Sequence, residues 1–199
     1  RTVTVAFVLV LVVLVLMGVT DAKTYSLKFS KVFFEHAFRW FHVLSGIMWV
    51  GLLYYFNFVQ MPSMPKIPDA EKPAVSKVIA PTALFWFRWA AMSTIITGII
   101  VALLGGYLVD AILLGLNKGW GGKATMIGLG MYLGTIMWFN VWFVIWPNQQ
   151  KALNIDNKFP DLTKEQKAAA GRTAMLFSRT NFMLSVPMLF CMVARGHLG

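Results

Sequence analysis

The widest chemistry in this 199-residue chain belongs to its three histidines, His36, His42 and His197. A neutral imidazole ligates haem iron or copper and also exchanges protons near neutrality. His36 and His42 lie with Arg39 in residues 36–58, a stretch apolar and long enough to cross a bilayer. Polar groups there need protein neighbours. At about 100° per residue, Arg39, His42, Gly46, Trp49, Leu53 and Asn57 share one helical face, which should look into a bundle. His36 projects roughly 120° away from His42, so one metal would not take both. The face offers one inward imidazole, with Arg39 a turn before it and Gly46 a turn after it, leaving room for a flat group.

A second set of polar residues falls near the other ends of the apolar segments: Asn57 and Gln60, Arg88, Asn140 and Asn148, Arg179 and Asn181. Amide and guanidinium groups brought together there would hold a small anion or a polar, planar molecule through directional hydrogen bonds, and Asn140, Asn148, Arg179 and Asn181 are the candidate substrate contacts. The plainer account is that such residues bond loops and lipid headgroups. No acidic pair, Ser/His/Asp set or Cys/His zinc set lies within the apolar segments, which argues against hydrolysis and zinc chemistry. Cys191 is the single cysteine, so an internal disulfide, a CxxC redox pair and a CxxCH haem attachment are excluded.

The elements that must position these groups follow from composition. With 58% hydrophobic and only 13% charged residues and a mean hydropathy of +0.65, the chain reads as an all-α integral membrane protein. The pattern predicts one domain over 1–199, a bundle of five transmembrane helices at about 3–20, 33–60, 82–108, 124–146 and 173–194. The first run is longer than a usual signal-peptide core and is taken as a membrane helix. Pro62, Pro65 and Pro68 should end the second helix, the third should begin near Pro81, and the fourth should stop at Pro147. Pro187 should kink the fifth. Thr94 with Gly98, and Gly130 with Gly134, have the spacing of close helix contacts. The glycine-rich turn at 119–123 lacks the flanking strand and spacing of a phosphate loop.

Net charge is +10, but the lysines sit in loops between apolar runs, which suits topology and anionic lipid and argues against nucleic acid as a partner. Counting Lys and Arg across five crossings gives 11 on the side of the N-terminus against 7, placing the N-terminus inside and the C-terminus outside a bacterial inner membrane. All three histidines then lie toward the outer face. His42 and His197, on different helices, form a candidate pair for clamping haem b. The plainer reading leaves His42 hydrogen-bonded across the bundle, His197 at the water interface, and His36 beside Glu35.

Three stretches, residues 39–51, 133–151 and 178–190 with His197 beyond, together resemble the membrane domain of the cytochrome-c-linked urate oxidases, also called urate hydroxylases. The Gly-Thr-Ile-Met run at 134–137, leading to Asn140 and then Pro147-Asn148-Gln149, is the most specific part. By that resemblance His42, Asn140, Asn148, Asn181 and His197 fall on motif positions. The implied activity is oxidation of urate with electrons passed to cytochrome c. The chain departs from the family in having fewer membrane helices, no CxxCH and Thr180 where a histidine is expected. Two functions follow as expectations: a membrane redox protein holding haem b and passing electrons to cytochrome c or another carrier, or a non-catalytic subunit packed against other membrane subunits.

Overall fold

The computed structural model describes residues 2–20, 30–118 and 122–197. Among these residues every regular element is a helix. Helix α1 is Thr2–Thr20, α2 Lys31–Lys66, α3 Lys72–Leu104, α4 the short Leu108–Ile112, α5 Gly122–Leu153 and α6 Lys164–His197. Four of them, α2, α3, α5 and α6, are long and apolar enough to cross a membrane, and α1 adds a shorter apolar stretch at Thr2–Val15. In hydrocarbon only a helix or a closed barrel pairs all its own backbone groups, so apolar runs without strand periodicity settle as helices.

Hydrogen bonds set the helix starts. Ser30 caps α2 by accepting from the Phe33 amide. Thr163 and Gln166 form a reciprocal capping box, with Thr163 N donating to Gln166 Oε1 at 2.9 Å and Gln166 N to Thr163 Oγ1 at 3.2 Å. This box launches α6 nine residues before the expected membrane span, and the part of the 151–171 connector expected to be helical, about 163–170, is continuous with that span. Asn154, in the left-handed conformation at φ +49°, closes α5.

Proline accounts for the other boundary corrections. Helix α2 runs past Pro62 to Lys66, α3 begins before Pro81, and α5 continues past Pro147 to Leu153. In each case a π-helical segment comes just before the proline: Tyr55–Gln60 before Pro62, Val75–Ile79 before Pro81 and Asn140–Ile145 before Pro147. A proline lacks the donor for the carbonyl four residues back and its ring crowds that oxygen. Those carbonyls belong to Phe58, Lys77 and Phe143, all inside the widened turns, where bonding skips to the fifth residue. The helices therefore absorb the prolines instead of ending at them. Pro187 lies inside α6, which is continuous through it.

The four long helices pack antiparallel. The core joins Trp49, Leu53 and Phe56 of α2, Leu84, Phe87 and Ala91 of α3, Met137, Val141 and Ile145 of α5, and Ala174 and Met188 of α6. Large apolar side chains also cover the outside, which is compatible with a surface that faces lipid. On α5, Gly130 makes the close approach: a Cβ there would lie 3.2 Å from Cys191 Cβ of α6, whereas one at the buried Gly134 would meet nothing within 4 Å. Helix α1 touches α2 through Phe7, edge-on to Trp40 at 5.6 Å.

A polar clasp locks α5 to α6. Asn140 Nδ2 donates to Asn181 Oδ1 at 2.8 Å, and Asn181 Nδ2 donates to the Met137 carbonyl at 2.9 Å, with both residues buried. Replacing Asn181 by Ala removes both bonds of the clasp, while Asn140→Ala removes only the one between the two amides. Unfolding of the purified protein in detergent should show Asn181→Ala losing about 1–2 kcal/mol, and Asn140→Ala clearly less. Equal losses would mean that the bond to Met137 contributes nothing.

Candidate functional site

The face of α2 predicted to look inward does so along part of its length. Trp49 and Leu53 are fully buried, and His42, Gly46 and Asn57 are half-buried. Arg39 turns outward and pairs with Glu35 at 2.5 Å, one turn away on the surface of α2, so the structure does not bring it to His42's partners on α3. His36 is exposed.

His42 reaches across to α3. Its Nδ1 lies 2.9 Å from the carbonyl oxygen of Thr94 and 3.4 Å from Thr97 Oγ1. A carbonyl only accepts, so Nδ1 carries the proton and the lone pair resides on Nε2. The ring is seated over Gly98, where a Cβ would come 2.9 Å from His42 Cε1. The Thr94/Gly98 spacing thus serves an imidazole between two helices, and the glycine that makes room for it is Gly98 on the neighbouring helix. A Cβ at Gly46 would meet nothing within 4 Å. Beside this contact Ser45 and Ser93 share a hydroxyl bond of 2.7 Å.

His197 is the last residue of α6, and its side chain lies outside the described residues. Its level along the bundle follows from the α2–α6 contacts. Tyr54 Oη meets Ser185 Oγ at 3.1 Å, and twelve residues back from Tyr54 and twelve on from Ser185 the antiparallel register reaches His42 and His197.

The opposite end of the bundle holds the other polar residues in three separate places. Asn140 and Asn181 form the clasp already described, and Asn148 donates to its own helix at the Val144 carbonyl, 2.8 Å away. Arg179 is exposed. Asn57 Nδ2 donates to the Leu53 carbonyl at 2.8 Å and to Ser178 Oγ at 3.0 Å, while its Oδ1 and the Oε1 of Gln60 are buried without a protein partner. Gln60 and Ser178 line a cavity of about 140 Å³ with Gln149, Ser76 and the thioethers of Met61, Met64 and Met175. All four long helices contribute to it. Two buried acceptors without donors mark a place for water or for a ligand with N–H or O–H groups. Ser178 was missed from sequence; its sign was a small polar residue four positions after the wholly buried Ala174 on the same helical face.

Arg88 takes a third course. Its guanidinium sits 3.8 Å from the Trp146 ring centroid, 5.0 Å from that of Trp142 and 6.0 Å from that of Trp89. By the helical rise, the fifteen residues from His42 to Asn57 put about 22 Å between the imidazole and the cavity end. They are two sites, at different depths.

No three His, Cys, Asp or Glu side chains converge among the described residues. A bare ion held by such groups alone would need that set, whereas haem brings its own equatorial nitrogens and asks for one or two axial donors. An imidazole whose Nδ1–H is anchored on a backbone carbonyl, with Nε2 left as donor, has the character of an axial ligand.

No curated protein and no solved structure matches the chain. Residues 100–198 match the family model described as urate oxidase N-terminal, a stretch that holds α4, α5 and α6 with the Asn140–Asn181 clasp and two of the three motifs that carried the resemblance. Over these residues the chain is similar to the urate oxidase N-terminal family.

Proposed function

We propose that the chain is the membrane-embedded part of an oxidoreductase related to the urate oxidases, holding haem b near one face and passing electrons to cytochrome c or another carrier. The observation that carries this reading is the anchoring of His42 by the Thr94 carbonyl, which leaves Nε2 free to ligate. His42 would hold the iron, and His197, level with it on α6, is the candidate second ligand. Haem in such a setting supplies reversible one-electron transfer. The chain's own contribution is to fix the imidazole's tautomer and tilt through Thr94 and Gly98, and to surround it with apolar side chains. By charge bias the His42 end faces outward from a bacterial inner membrane, with the N-terminus inside, and a soluble electron carrier would dock there. Other membrane subunits would pack on the apolar flanks. Urate or a related planar substrate is what the family match suggests for the reaction, and the amide-lined opposite end is where a polar molecule would find donors and acceptors.

The protein purified from membranes should show a reduced-minus-oxidised band of b-type haem, and His42→Ala should remove it. A protein that keeps its full haem content after that change takes His42 out of the site, and a colourless wild-type protein at full occupancy makes the chain a packing subunit.

Gly98→Val adds branches where a single Cβ already crowds the His42 ring. It should lower haem content several-fold while the helical circular-dichroism signal stays. Unchanged haem would mean that the ring's seat on α3 is irrelevant to ligation. Membranes carrying the protein should reduce cytochrome c when urate is added, and no response with a competent acceptor removes urate as the substrate.

A further inference from the structure

Arg88 is the one charged side chain whose setting neither the bundle nor the redox reading explains. Neither a hydrogen bond nor an ion pair engages it among the described residues, and its Nε is buried without a partner. The three tryptophans around it hold the guanidinium by cation–π contact. A cation–π contact gives its N–H groups no oxygen acceptor. A fixed positive charge with unanswered N–H groups asks for an anionic oxygen.

The surroundings indicate which anion. Arg88 lines an open groove with Pro81, Phe85 and Trp146, and Thr82, Gln150 and Lys158 supply its polar rim. The Thr82 hydroxyl is already committed to the Val78 carbonyl at 3.0 Å. Asp156 also lies on the groove, but it faces Lys158 at 3.5 Å, and that pair cancels, leaving the charge of Arg88. From Gly105, where α3 has ended, Arg88 is seventeen residues away, about 25 Å along the helix, which puts it near the far boundary of a hydrocarbon layer of about 30 Å. That boundary belongs to the lysine-rich side of the protein, where Lys66, Lys72, Lys77, Lys151 and Lys158 lie. A groove at this depth with an apolar wall and one cationic fork fits a lipid whose phosphate sits at the boundary while its chains run along Phe85.

We propose that the Arg88 groove is a specific site for the phosphate of an anionic phospholipid. The lipid oxygen accepts from the guanidinium edge, Lys158 guards the rim, and Trp146 covers the arginine from the bundle side. A free phosphate ion offers the same oxygen chemistry without the chains, and the test separates the two. The purified chain in detergent is mixed with equal amounts of phosphatidylglycerol and phosphatidylcholine and examined by native mass spectrometry. Phosphatidylglycerol should be retained preferentially, and Arg88→Gln should cut its occupancy about fivefold, to the level of phosphatidylcholine. Inorganic phosphate should not displace it. Equal retention of the two lipids overturns the proposal, as does an Arg88→Gln protein that keeps its phosphatidylglycerol. Displacement by inorganic phosphate makes this a site for a soluble anion, which also overturns it. Because Arg88→Gln disturbs the tryptophan cage and folding with it, wild-type protein is also labelled with a photoactivatable phosphatidylglycerol. Adducts within residues 81–88 and 146–158 support the site, and adducts confined to other helices refute it.

Discussion

In helices long and apolar enough to cross a membrane each backbone N–H and C=O has to find its partner inside the protein, and that requirement governs this bundle more than any side-chain contact. The chain places Pro62, Pro81 and Pro147 in its long helices, where each removes a donor. The structure answers with π turns at Tyr55–Gln60, Val75–Ile79 and Asn140–Ile145, which let three long helices pass through prolines and still close on one another.

This constraint divides the molecule by function. At the His42 end α2 and α3 meet closely, with an imidazole seated over Gly98 and a hydroxyl pair beside it, and little is left unpaired. Toward the other end all three π turns gather, the helices part enough to leave the cavity, and the orphaned oxygens of Asn57 and Gln60 appear with it. Widened turns of this kind recur at functional sites because they redirect side chains without breaking a helix.

Much of this was legible from residue types. Apolar runs gave the four long helices, the projection of α2 placed Trp49 and Leu53 correctly inside, and the Thr94/Gly98 spacing marked a true helix contact. Helix ends at three places differ from expectation because proline acts there as no stop, and the sequence does not display the tertiary packing that makes a π turn affordable. The same projection put Arg39 inside because it ignored Glu35, one turn earlier on the same helix and close enough to draw the guanidinium out. Asn140 and Asn181 were recognised as unusual for apolar segments, but only coordinates bring them together as a clasp, since pairing between helices leaves no periodic trace. Arg179 was grouped with them by its place in the chain, and its face of α6 turns outward.

The π turns carry a consequence for phase. Each adds about one residue to a helical turn, which rotates whatever follows by roughly 100°. A wheel drawn straight through α2 therefore loses its phase beyond Gln60, where Met61 and Met64 join the cavity wall. Relatives differing by a single inserted or deleted residue at this point would keep the same membrane span yet present a different lining, making helical phase a simple route by which such bundles change what they hold.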